Sequence, residues 1–148
     1  MPANRVKPVV LSPATIASAR IESFPDPSGG IVTWKTLFSA GKSPTDTLTT
    51  GIGTCQAKDG HLKCHRHTQA EIYHVIQGRG IVTIDGEEHG VEKGSVVFIP
   101  GDSEHGIRNI GEQDLMWLYV FATDKFEDIV YRFSEEKAPD ALRLKPKL

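Results

Sequence analysis

The stretch His65–Gly78, HRHTQAEIYHVIQG, places three histidines and a glutamate in a segment that otherwise has the composition of a half-buried strand. Side chains at i and i+2 of a strand share a face, so His65 and His67 point one way while Cys64 and Arg66 point the other. That spacing makes a paired imidazole donor. Three residues then intervene before Glu71, too many for alternation to fix the direction of its carboxylate. A turn or bulge at Thr68-Gln69-Ala70 would start a second strand with Glu71 facing the histidine pair. Tyr73 and Val75 then share the glutamate's face, and His74 takes the opposite one.

Outward from this stretch, Ile31 to Phe133 is a succession of short β-branched and aromatic runs broken by glycine-bearing turns about every ten residues, the signal of an all-β sandwich or barrel. The Asp59-Gly60 and Asp85-Gly86 dipeptides are those that two-residue hairpins favour. If Asp59-Gly60 is such a turn, Cys55 falls opposite Cys64; two reduced thiols are nevertheless expected, because a disulfide scaffold uses more cysteines than these two. Helical signals are confined to Ser12–Ile21, where Ser12 can cap and Pro13 open a short helix, and to a turn at Thr123–Asp128. Residues 1–30 form an N-terminal extension, residues 31–134 the barrel, and residues 135–148 a charged, proline-interrupted tail expected to fray.

The 148 residues suffice for one domain that buries roughly 70% of its unfolded surface. Seventeen basic and nineteen acidic residues without a block of either sign argue against nucleic-acid binding or a polybasic membrane patch. No run approaches the roughly 20 apolar residues of a membrane span, and the first 20 residues lack the apolar core of a secretory signal. A cytoplasmic protein acting on a small molecule is the expectation.

A second constellation lies at Gly94–Asn109, GSVVFIPGDSEHGIRN, an apolar strand ending at Pro100, a loop, and then His105 opening another strand. The two stretches together resemble the paired motifs of the cupin family. The first runs His65-x-His67-x3-Glu71-x6-Gly78, and the second runs Gly94-x5-Pro100 with His105 five residues on and Asn109 four beyond. One departure is that the family's glycine two residues after the proline is Asp102 here, with Gly101 one position earlier, which puts the loop's shape in question. The resemblance implies a cupin jelly-roll β-barrel in which His65, His67, Glu71 and His105 bind one divalent metal ion. Imidazole and carboxylate ligands suit Fe, Mn, Ni, Cu or Zn without selecting among them. It also implies a homodimer paired through outer sheets. His61, beside a turn, His74, of opposite parity, and His89, in the polar loop Glu87–Gly90, are expected at the surface or on the second sheet.

The segment AEIY (Ala70–Tyr73), the GDSEH that precedes a strand, and the aromatic-rich C-terminal YVFATDKFEDIVYRF further resemble the single-domain cupin lyases that split dimethylsulfoniopropionate into dimethyl sulfide and acrylate. By that resemblance Tyr73 is the catalytic base and Tyr131 a second catalytic tyrosine. A phenol beside a cation is drawn toward phenolate, which is what a base requires. Trp34, Trp117 and Tyr119 could offer an aromatic wall to a sulfonium, although their alternating spacing also suits ordinary core. Because a fold does not dictate a reaction, an Fe(II)-dependent dioxygenase, a metal-dependent isomerase or dehydratase, and a non-catalytic ligand-binding protein stand as alternatives to the lyase.

Overall fold

A computed structural model describes residues 5–135; the proposed frayed tail falls, apart from Glu135, outside them. A short helix, α1 (Pro13–Ala17), is capped by Ser12, whose Oγ accepts from the Thr15 N–H, with Pro13 at its first turn. Twelve strands follow: β1 (Glu22–Ser23), β2 (Gly30–Ile31), β3 (Thr33–Phe38), β4 (Thr49–Cys55), β5 (His61–Arg66), β6 (Glu71–Gln77), β7 (Arg79–Ile84), β8 (Glu87–Glu92), β9 (Val96–Ile99), β10 (His105–Asn109), β11 (Leu115–Phe121) and β12 (Arg132–Phe133). They form two antiparallel sheets of a jelly-roll barrel, one ordered β1-β3-β4-β11-β6-β9 and the other β12-β5-β10-β7-β8, with β2 also on β5. Consecutive strands often lie in different sheets, so the chain passes back and forth across the barrel. No helix among the described residues is long and apolar enough to cross a membrane.

Alternation sets the inside. Along β6, Glu71, Tyr73 and Val75 are buried while Ile72 and His74 are exposed, and along β11 Leu115, Trp117, Tyr119 and Phe121 are buried. With Val82, Ile99 and Ile107 they make one core between the sheets. Asn109, the last residue of β10, ties the sheets together. Its Nδ2 donates to the Cys55 and Gln113 carbonyls at 2.9 and 2.8 Å, and its Oδ1 accepts from the Gly111 N–H at 2.8 Å, so a buried amide is fully used.

The Asp85-Gly86 turn is a two-residue hairpin with both φ positive, 48° and 83°, and Ile84 pairs with Glu87. Asp59-Gly60 is not one. The left-handed residue there is Lys58 (φ 78°), the Gly60 N–H bonds to the Gln56 carbonyl, and β4 and β5 belong to different sheets. The reason lies in the partner each strand finds: β4 pairs with β11 along its whole length, Thr49 with Phe121 through Cys55 with Leu115. Cys55 and Cys64 therefore do not face each other, and both are free thiols. Burial raises the Cys55 thiol to about 12, which keeps it an inert core group.

His89 also corrects the sequence reading: it lies in β8, an exposed strand at the edge of its sheet, and not in a loop. Both faces of most of β8 meet water, so it has no hydrophobic alternation to betray it. The final run, Asp128–Phe133, contributes only the two residues of β12.

Candidate metal centre

Strand β5 delivers the first two histidines. His65 is its penultimate residue and His67 follows its end, both pointing inward past an exposed Arg66. Simple alternation would also turn His61 and Lys63 inward, but β5 is irregular. Against β10, His65 pairs with His105 while Leu62 pairs with Ile107, so two residues of β5, Lys63 and Cys64, oppose Gly106 alone. This bulge reverses the parity of the strand. Leu62 becomes the buried residue and His61 is left half-exposed. It also needs Gly106, since a Cβ there would lie 2.8–2.9 Å from Leu62 O, Cys64 N and Cys64 Sγ.

His105 opens β10 directly opposite His65, and Glu71 opens β6 in the other sheet, so the two sheets meet at this point. The turn at Thr68–Ala70 brings the carboxylate inward. His65, His67, His105 and Glu71 are 0, 1, 1 and 4% exposed. The histidine ligand atoms lie within 4.8 Å of one another, and Glu71 Oε2 is 3.1 Å from both His67 Nε2 and His105 Nε2.

The protonation of each ring follows from its outer contact. Nδ1 of His65 lies 2.8 Å from the Lys63 carbonyl, Nδ1 of His67 2.9 Å from that of Gln69, and Nδ1 of His105 2.9 Å from that of Ser103. A carbonyl only accepts, so Nδ1 carries a proton, and in the neutral ring each Nε2 presents its lone pair to the interior. His61 makes the same kind of bond to Asp59, so the local pattern alone does not mark a ligand; convergence does.

Three lone pairs and a carboxylate thus face one another in a dry site, and His65 Nε2 has no hydrogen-bond partner at all. One proton on Glu71 could answer one of its two contacts and would leave His65 unserved. One cation answers all four. A separation of 3.1 Å also matches two neighbouring ligands at about 2.1 Å from a common ion, which stand about 3.0 Å apart at a right angle. The donor set therefore fits a divalent metal, with the backbone carbonyls orienting the rings.

Without a cation His65 is costly to charge. Burial, and then His105, push the His65 imidazolium from 6.5 down to about 3. A histidine buried neutral binds fewer protons folded than unfolded, so its contribution to stability is complete above pH 6.5 and is lost as pH falls from there toward 3. Metal-free protein is expected to lose stability at up to about 1.4 kcal/mol per pH unit across that window from this group, measurable as a falling urea midpoint in chelator-treated samples.

Two phenols adjoin the cluster. Tyr73, 1% exposed, shares the Glu71 face of β6, its ring centroid 6.3 Å from that of His105 and 5.6 Å from that of Trp117. Tyr131, just before β12, lies over the histidines with its ring 4.7 Å from His65 and 5.7 Å from His67. Burial, followed by the charge of Glu71, holds both phenols well above their usual range. Both face a cavity of about 20 Å³, room for about one water, that is also walled by Glu71, Trp34, Trp117 and Tyr119. These last three aromatics are thus cavity wall, and Trp117 and Tyr119 are core as well.

Phe24 and Phe126 also line the cavity, and neither was foreseen. Phe24 comes from the N-terminal extension, whose β1 joins the sheet beside β3, and its ring packs 4.9 Å from Trp34 and 5.4 Å from Tyr131. An isolated aromatic just before Pro25 carries no periodic signal, and the two-residue β1 that places it is too short to show one.

Comparison with known proteins agrees with this architecture. A family model described as "Cupin domain" matches residues 54–121. The chain is 42% identical over 111 residues to dimethylsulfoniopropionate lyase DddW of Ruegeria pomeroyi, covering 74% of this chain and 70% of that one. Among solved structures, the polyketide cyclase RemF from Streptomyces resistomycificus superposes with a TM-score of 0.68 at 18% identity, over 90% of this chain and 88% of its own. A chain from the crystal structures of the DMSP lyases RdDddP and RnDddQII gives 0.64 at 20% identity, over 77% and 60%. At those identities the two structures establish the common fold alone.

Proposed function

The chain belongs to the cupin family, and from that premise we propose that it is a metal-dependent lyase that cleaves dimethylsulfoniopropionate, or a close analogue, by β-elimination. The observation that carries the reading is the placement of two buried phenols, Tyr73 and Tyr131, against four convergent metal-ligand atoms. The 42% identity to a dimethylsulfoniopropionate lyase supports this substrate among small carboxylates.

His65, His67, Glu71 and His105 would hold the ion. When bound, a divalent cation supplies Lewis acidity that polarises a substrate carboxylate and acidifies the adjacent C–H. Burial first, and then the Glu71 charge, keep both phenols protonated; a positive charge held beside Glu71 would offset the second cause and favour the phenolate of Tyr73. Tyr73, having released its phenolic proton to solvent, takes as phenolate the proton from the carbon next to the substrate carboxylate. The C–H electron pair becomes the new C=C bond, the C–S pair departs with sulfur as dimethyl sulfide, and acrylate remains; the proton passes from Tyr73 to solvent. Tyr131 over His65 and His67 holds the substrate by its hydroxyl, and Trp34, Trp117 and Tyr119 give the sulfonium an aromatic face. Room for about one water implies that these side chains part to admit the substrate.

Protein loaded separately with Fe(II), Mn(II), Ni(II) or Zn(II) and given dimethylsulfoniopropionate under nitrogen tests the proposal. Dimethyl sulfide and acrylate are expected in equal amounts without oxygen. A product that appears only in air, with oxygen consumed, would replace the lyase by a dioxygenase; binding without turnover with every metal would leave a ligand-binding protein.

A further inference from the structure

Asp102 stands where the cupin pattern has glycine, and the structure keeps the glycine-like backbone. Its φ is +63°, a left-handed conformation that a side chain makes less favourable than it is for glycine. It occupies the third position of a turn closed by the Ser103 N–H on the Pro100 carbonyl at 3.2 Å. Gly101 supplies the other half of what the loop needs, close approach: a Cβ there would lie 2.4 Å from the Thr68 carbonyl oxygen. The loop therefore retains its shape while accepting strain at Asp102, which raises the question of what the carboxylate contributes.

Asp102 meets three parts of the site. Its N–H donates to the carbonyl of the ligand candidate His67 at 2.8 Å, its own carbonyl accepts from Arg66 Nη1 at 2.8 Å, and its Oδ1 accepts from Arg132 Nη2 at 2.6 Å. Arg132 directly opposes Arg66 across the β5–β12 pair. Like charges so placed repel, and the Asp102 carboxylate is the acid that bonds to Arg132 beside them. β12 has only two residues to hold it. The adjoining Ser134 adds its N–H on the Cys64 carbonyl at 2.9 Å and its Oγ on Glu104 at 2.6 Å. Arg132 immediately follows Tyr131, so whatever fixes Arg132 fixes the phenol ring over the histidines.

We propose that Asp102 and Arg132 form a clasp that holds Tyr131 against His65 and His67, which makes both of them positioning residues for the elimination. The inference rests on the role given to Tyr131 above.

Asp102→Gly is the decisive variant, because glycine favours the same φ and keeps the loop while deleting the carboxylate. Metal content of one ion per chain and the global unfolding midpoint are expected to be retained or improved. Amide exchange at Ser134, read by hydrogen–deuterium exchange on the metal-loaded protein, is expected to accelerate roughly fivefold, the scale of one partly exposed ion pair, with β11 unchanged. The kcat for dimethylsulfoniopropionate should fall about as much with KM little altered. Arg132→Ala should behave alike, and the double variant should add nothing further. Wild-type exchange at Ser134, or faster exchange with wild-type kcat, overturns the clasp. Tyr131→Phe at wild-type turnover would instead overturn the role of Tyr131, and its positioning with it, a failure that the exchange data distinguish from loss of the clasp alone.

Discussion

Replacing His105 by alanine is expected to strip the protein of its metal. Three imidazoles and one carboxylate share the site, and removing only an outer partner of a ligand commonly costs roughly 10- to 100-fold in metal affinity. Deleting the ligand itself should cost more, enough to leave well under a tenth of the wild-type stoichiometry after gel filtration, measured by elemental analysis. The fold should survive, since β10 keeps its pairing with β7 from Gly106 to Asn109. His74→Ala is the control: that side chain is exposed on the outer face of β6, and its loss should leave the metal in place. An alanine variant at position 105 that retains one ion per chain would mean that His105 is not a ligand.

Tyr73→Phe carries the second large effect. The variant removes one hydroxyl and leaves the ring packed on Trp117, so metal content and thermal midpoint should match wild type. Loss of a general base typically costs about 10²- to 10⁴-fold in rate, and kcat for dimethyl sulfide release should drop by that factor. A free phenol with a pKa far above neutrality would be a poor base, and burial beside Glu71 makes that worse. The reading therefore requires activity to depend on the cation twice, for the substrate carboxylate and for the phenol. If Tyr73→Phe turns over within a few-fold of wild type, the base lies elsewhere.

Much of the centre was legible because strand parity is a short-range rule. The shared face of His65 and His67, that of Glu71 and Tyr73, and His105 at the head of the next strand follow from i, i+2 alternation and from the punctuation at Pro100, whereas their convergence was implied by the cupin resemblance. The same rule failed at Lys63–Cys64, where a bulge reverses parity and hides Leu62 instead of its neighbours. A bulge answers to the partner strand, here to the space above Gly106, and one strand read alone cannot show it. Asp59-Gly60 failed for a related reason. A turn dipeptide permits a hairpin, but β4 gains seven paired residues by running beside β11, sixty positions away in the chain. The strand β8 was invisible because a strand exposed on both faces has no hydrophobic period, and Phe24 because its place is set by β3. Asp102 shows the opposite case: the departure from the family's glycine was plain in the sequence, but only the structure shows Arg132 at the other end of its carboxylate.

The proposed function depends on one cation among His65, His67, Glu71 and His105. Anomalous diffraction from a crystal of the protein as purified, collected on either side of the absorption edge of the metal found by elemental analysis, tests it most directly. A single peak is expected at about 2.0–2.2 Å from the three Nε2 atoms and one Glu71 oxygen. Well-ordered electron density for the four side chains with no peak between them, or a full-occupancy peak bound elsewhere on the chain, would contradict it.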